Sequence, residues 1–195
     1  MVKNECSVGG SKKTPIGYKV APRKRTVLRS ISDQLRALPD VAACYKNEGV
    51  FLDAVYLLEN LLPRAGFNLH VLDDDQLKET AGFTIPEAGL IVLRASIYDG
   101  LFEDEPFSRY TVVHEFSHII LKHAASLHRG ATLGEHSWYE DSEWQANNLA
   151  AELMMPVDVI QRLDCKPLLI MGECGVSASA THFRLDNLRK EGLIK

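Results

Sequence analysis

Val112-Val113-His114-Glu115-Phe116-Ser117-His118-Ile119-Ile120 sets two histidines four residues apart, with a glutamate directly after the first. On a helix, four residues at 3.6 per turn bring His114 and His118 to within about 40° of one face and about 6 Å apart along the axis, so both imidazoles can reach one metal ion. Glu115 then lies beside that ion, placed to take a proton from water. From Tyr110 to Leu121 the side chains are apolar nearly all round, which predicts a helix buried on every side. Burying three ionisable groups together costs free energy unless they are paired or bound to a cation. The pattern therefore favours a metal centre over satisfied core histidines.

A catalytic zinc takes three protein ligands and keeps a fourth position open, so a partner must come from elsewhere. Downstream candidates are Glu140, Asp141, Glu143, Glu152, His123, His128 and His136. Ser142 to Met155, stopped by Pro156, predicts a second long helix. Glu143, Ala146, Asn147 and Ala150 share one face of it, and the small residues allow close approach to the first helix. Glu152, nine residues on, falls about 180° away. Glu140 and Asp141 sit at or before the helix start and remain competitors to Glu143. The metzincin extension would require glycine at position 121 and histidine at 124, where the chain has Leu121 and Ala124.

At 195 residues the chain fits one domain with a full core. A charged fraction of 25% and a net charge of -4 give no overall bias toward nucleic acid. No apolar run approaches the ~18 residues of a membrane span, and the start Met1-Val2-Lys3-Asn4-Glu5 lacks a signal-peptide core. A cytoplasmic location is the expectation. Cys6, Cys44, Cys165 and Cys174 show no C-x-x-C spacing, which argues for reduced thiols rather than a structural zinc site or a disulfide framework. Cys174 is expected to be a small packing residue.

Residues 1–25, with a Gly-Gly pair, two prolines and a surplus of Lys and Arg (Lys12, Lys13, Arg23, Lys24, Arg25), predict a flexible basic tail. Val27, Leu28, Ile31, Leu35 and Leu38 predict a helix closed by Pro39-Asp40, and Leu52 to Leu62 a second one ending at Pro63 to Gly66. Phe67 to Leu72 alternates with period two, a half-buried strand with Asn68 and His70 on one side. Gly82 to Ile85 and Leu90 to Leu93 predict a β-hairpin whose outer strand is suited to hold an extended peptide. Glu103, Asp104 and Glu105 before Pro106 suit the start of the buried helix, expected to run to about Gly130. After Pro156 a short helix is expected. Gly175 to Lys195 is similar to a helix-turn-helix ending, with packing favoured over DNA binding because it lacks a basic recognition face.

Tyr110-Thr111-Val112-Val113-His114-Glu115-Phe116-Ser117-His118, followed by Glu143-Trp144-Gln145-Ala146-Asn147-Asn148-Leu149-Ala150-Ala151-Glu152-Leu153-Met154-Met155-Pro156, resembles the ImmA/IrrE family of metallopeptidases. The resemblance runs from about Val50 to Pro156, and more loosely over Val176 to Leu188. Ser117 stands where the family usually has Gly, and Leu149 where it usually has Phe. The resemblance implies His114, His118 and Glu143 as zinc ligands and Glu115 as the catalytic base. It further implies a protein substrate, a helix-turn-helix repressor cut to release its target genes; the charge balance and the lack of a long apolar run separately argue against direct nucleic-acid binding and a membrane.

The expected architecture is α+β and zincin-like, a small antiparallel or mixed sheet packed on the buried helix. Residues 26–195 would form a single zinc metallopeptidase domain, with 157–195 its helical C-terminal part. Tyr139, His123 and His136 are candidates for a second oxyanion donor. The alternative is a catalytically silent module of the same fold that sequesters a regulator, against which stand the intact His114, Glu115, His118 and Glu143.

Overall fold

The computed structural model describes residues 16–123 and 136–195. His128, Glu135, Lys12, Lys13 and Cys6, named above, lie outside the described residues. The architecture is mixed helix and sheet, as an α+β zincin-like domain requires. Helix α1 (Arg25–Arg36) and a short α2 (Pro39–Ala42) lead to a hairpin of β1 (Tyr45–Lys46) and β2 (Phe51–Leu52). The helix expected over Leu52 to Leu62 starts later, because Leu52 belongs to β2 and the Asp53 carboxylate caps α3 (Ala54–Tyr56) through the Tyr56 N–H at 3.0 Å. It continues as a π-helical stretch over Leu57–Leu61 and closes as α4 (Leu62–Arg64).

A three-stranded sheet follows, in the order β3, β5, β4. Strand β3 (Asn68–Leu72) runs parallel to β5 (Leu90–Arg94), and β4 (Gly82–Ile85) pairs antiparallel to β5 as the expected hairpin. Its turn over Pro86–Ala88 ends on Gly89 at φ 58°, a left-handed position that suits glycine. Helix α5 (Ala95–Leu101) separates this hairpin from α6 (Pro106–Leu121). One core joins α6 to the sheet and to the helix of residues 54–64, through Leu57, Leu58, Leu62, Ile91, Leu93, Val112, Val113 and Phe116.

Two expectations need correction. Helix α6 stops at Leu121 instead of reaching Gly130. Lys122 turns left-handed at φ 54°, its N–H meets the Ile119 carbonyl at 3.1 Å, and the His123 N–H returns to the His118 carbonyl at 3.0 Å. That pair of bonds is a Schellman closure, made here without the usual glycine. The described part of the expected flexible basic tail, residues 16–24, is held in place. Its backbone pairs with residues 139–142: Tyr18 accepts from the Ser142 N–H at 3.0 Å, Val20 donates to Glu140 at 2.7 Å, and Arg23 donates to Tyr139 at 2.9 Å.

Helix α7 (Ser142–Met154) crosses α6, and α8 (Val157–Arg162), α9 (Pro167–Cys174) and α10 (Ala178–Lys190) complete the described chain. Leu185 and Leu188 of α10 pack into the core as expected, whereas Phe183 is 60% exposed. Cys44 and Cys174 are buried free thiols, and burial pushes both up to about 11. No helix among the described residues is long and apolar enough to cross a membrane.

Candidate metal centre

Helix α6 presents His114 and His118 one turn apart on the side that faces α7. Their Nε2 atoms are 3.0 Å apart. The Glu143 carboxylate enters from the first turn of α7, with Oε2 at 3.2 Å from His114 Nε2 and Oε1 at 3.4 Å from His118 Nε2. Among the described residues this is the group of His, Cys, Asp and Glu side chains whose donor atoms converge closely enough to hold a metal. The spacing fits: ligands about 2.0–2.1 Å from a tetrahedral ion sit roughly 3.3 Å from one another. Burial works against the Glu143 charge, but the adjoining His114 and His118 rings outweigh it and hold the carboxyl well below its usual range. At His114, burial is outweighed in the same way by the Glu143 hydrogen bond and the Glu115 charge, which raise its pKa.

The competing carboxylates are occupied elsewhere. Asp141 is buried and caps α7 through the Trp144 N–H at 2.8 Å, while its other oxygen accepts from the Gly17 N–H at 2.8 Å and faces His136 Nε2 at 3.0 Å. Glu140 accepts from the Ser137 N–H at 3.2 Å. Glu152 lies on the far side of α7, in a buried ion pair with Arg184. Of the histidines, His136 is turned to Asp141, and His123 lies over His118 with its Nδ1 3.1 Å from His118 Nδ1.

Glu115 is buried next to this group, and the Thr84 hydroxyl of β4 donates to its Oε2 at 2.8 Å. Thr84 was not singled out from the sequence; its inward position in the alternating strand Gly82–Ile85 is the one signal it carried. Tyr110 and Asn147 form a second contact that sequence reasoning missed, the phenol donating to Asn147 Oδ1 beside the cluster. Burial and the nearby Glu143 charge raise the pKa of this phenol. His123 is shifted the other way: burial first, then the neighbouring His118 and Arg23, push it down to about 4.

A cavity of about 530 Å³ opens over the cluster, walled by Tyr18 and Val20 on one side and by Gly82, Phe83 and Thr84 of the edge strand β4 on the other. A larger cavity of about 1310 Å³ lies beside it and not over it, bounded by α7, α10 and the 138–140 turn; Phe107, Tyr110 and Asn147 wall both. Phe107, Trp138 and Phe183 expose 55%, 49% and 60% of their surfaces around this second cavity, an apolar patch on its rim. Of the other expected oxyanion donors, Tyr139 lines the larger cavity and not the one over the cluster.

Residues 103–186 match the family described as the IrrE N-terminal-like domain, Peptidase_M78. The matched span begins just before α6 and ends within α10, so it holds both helices of the centre and reaches further toward the C-terminus than Pro156. A comparison with curated proteins gave no match.

Proposed function

Since residues 103–186 belong to the IrrE N-terminal-like peptidase family, whose members are metallopeptidases acting on proteins, we propose that this chain is a zinc-dependent endopeptidase. In this reading His114, His118 and Glu143 hold zinc and Glu115 is the general base. The observation that carries it is the convergence of two Nε2 atoms and one carboxylate at 3.0–3.4 Å, with a second carboxylate fixed alongside. Two imidazoles and a carboxylate are a donor set that suits a catalytic zinc, and the smaller cavity opens over these side chains.

Bound zinc would supply Lewis acidity, making water acidic enough to lose a proton near neutral pH. Glu115 takes that proton, and Thr84, by bonding Oε2, leaves Oε1 as its free acceptor among the described residues. As water oxygen bonds to the scissile carbonyl carbon and the C–N bond breaks, Glu115 returns the proton to the leaving amine nitrogen. The outer edge of β4 lies along the cavity, where an extended peptide can be held by backbone pairing.

The substrate we propose is a helix-turn-helix transcriptional repressor, cut at one or a few sites so that its target genes are released. The family resemblance supports the repressor, and the larger cavity supports selectivity: a folded part of the substrate can rest on the apolar surface between α7 and α10 while an adjoining extended segment crosses the cluster. Such a surface adds binding without adding chemistry, so short peptides spanning the cut would be poor substrates. The test incubates zinc-loaded protein with the repressor encoded beside it and with casein, using Glu115→Gln as the blank. Selective cleavage of the repressor, lost in Glu115→Gln, is the expected result. Equal cleavage of casein would refute the selective reading. Tight repressor binding without cleavage, unchanged in Glu115→Gln, would refute the enzyme reading in favour of a sequestering module.

A further inference from the structure

We infer that His123 and Gln145 fix the ring tautomer of His118, so that its Nε2 presents a lone pair to the metal; both are positioning residues of the centre. The inference rests on the metallopeptidase reading above, and its logic starts at groups whose hydrogen-bonding roles cannot change. Gln145 is fully buried. One end of its amide lies 2.8 Å from the Ala21 carbonyl and 2.8 Å from the Tyr139 carbonyl. Carbonyls only accept, so this end is the NH2 group. The other end lies 2.8 Å from Nη1 of Arg23, which only donates, so it is the oxygen.

That oxygen is also 3.2 Å from His123 Nε2. An oxygen cannot donate, so His123 Nε2 carries the proton. A neutral imidazole has one N–H and one bare nitrogen, which leaves His123 Nδ1 as an acceptor. It faces His118 Nδ1 at 3.1 Å, so His118 Nδ1 must be the donor. His118 Nε2 is then bare, and it is this atom that lies 3.0 Å from His114 Nε2 and 3.4 Å from Glu143. Two backbone carbonyls and one guanidinium thus set the polarity of two rings in series, ending at the nitrogen that faces the centre. Hydrogen bonds from the outer nitrogen of a ligating histidine hold ring and tautomer in this way at many metal sites, usually through a carboxylate or a carbonyl. Here a second imidazole takes that place, which the Schellman closure of α6 makes possible by folding His123 back over His118. His114 shows no such device among the described residues, where its buried Nδ1 meets no partner.

The test has a spectroscopic arm and a binding arm. In metal-free protein labelled with nitrogen-15, long-range proton–nitrogen spectra of the imidazoles at neutral pH should show His118 protonated on Nδ1 and His123 on Nε2. The opposite pattern at either ring would overturn the inference. In chelator competition, His123→Phe, which keeps a flat ring but has no acceptor, should bind zinc about 10–100-fold more weakly. His123→Asn, whose oxygen can occupy the place of Nδ1, should recover most of that loss, and Gln145→Leu should weaken binding and disturb both ring signals. Circular dichroism confirms that each variant is folded. Zinc affinity in His123→Phe equal to wild type would overturn the positioning role. Failure of the wild type itself to bind zinc would refute the metallopeptidase reading, while the ring spectra would still decide the tautomers.

Discussion

Replacing Arg184 with methionine removes a buried guanidinium while keeping most of the side chain's length. Arg184 and Glu152 are 4% and 2% exposed and meet through two parallel bonds, Nη1 to Oε1 at 2.8 Å and Nη2 to Oε2, while Arg184 Nε donates to the Met155 carbonyl at 3.1 Å. This pair ties α10 to the end of α7. Arg29 of α1 adds a third charge, 3.1 Å from Glu152 Oε1. Breaking a buried pair from one side costs about 3–5 kcal/mol, because the surviving charge is left without compensation in a dry site. Arg29 still compensates part of the Glu152 charge, which places Arg184→Met at the lower end, about 3 kcal/mol. For a chain of this length that corresponds to a fall in Tm of about 6–12 °C. Removing both partners in Arg184→Met with Glu152→Leu should recover most of the loss, because no buried carboxylate remains and Arg29 keeps Glu191 at 2.6 Å. Thermal and urea unfolding of the two single variants and the double variant measure this directly. A single-variant cost below about 1 kcal/mol, or a double variant no more stable than Arg184→Met, would refute the picture of a dry, mutually dependent pair.

The metal site makes its own demands: His114→Ala, His118→Ala and Glu143→Ala should each lose most bound zinc in elemental analysis, whereas Glu140→Ala and Glu152→Gln should keep it, and the reverse result would overturn the choice of Glu143. Thr84→Val removes the hydroxyl that holds Glu115 Oε2 and should lower kcat/KM about tenfold or more at unchanged zinc content, since a hydrogen bond to a charged group contributes about 1.5–3 kcal/mol. Asp53→Ala should destabilise the protein by about 1 kcal/mol through loss of the α3 cap. Burial opposes the Asp53 charge, but Lys46 and the Tyr56 N–H outweigh it and depress its folded pKa. Its contribution is therefore complete above the ordinary carboxylate value near ~4 and fades as pH falls through the lower folded value, so urea midpoints of variant and wild type should converge on acidification.

The convergence of His114, His118 and Glu143 was legible because it is written into short spacings. The i, i+4 histidines needed nothing beyond helix geometry, and the length of α7 followed from Pro156 and its run of helix formers. The choice among Glu140, Asp141 and Glu143 was less plain, although an Asp directly before Ser142 is itself a helix-cap signal that removes Asp141 from the contest. The end of α6 was not legible. A lysine in a left-handed turn costs about 1–2 kcal/mol, and nothing in the sequence around Lys122 announces it. The pairing of residues 16–23 with 139–142 uses main-chain groups, so a composition poor in apolar residues gave no hint of it. Thr84 reaches Glu115 from 31 residues away in another element, a contact set by how the sheet edge meets α6 rather than by any local pattern.

The early segment of residues 16–23 also orders events in time. Its partners lie 124 residues further along the chain, where Gly17 meets Asp141 and Tyr18 meets Ser142. Gly17 leaves no room for a side chain: a Cβ there would come within 2.7 Å of the Glu143 backbone nitrogen and 2.8 Å of its side chain. During synthesis the segment is among the first described parts to be made, yet its place does not exist until α7 has been made. At ribosomal rates of about 5–20 residues per second, that wait is on the order of 6–25 s. Through this interval Glu143 is absent and the wall formed by Tyr18 and Val20 has nothing to rest on. Once His118 has been made, a nascent chain carries the two histidines and Glu115 without the third converging side chain, so the three donor groups cannot come together before α7 has been translated.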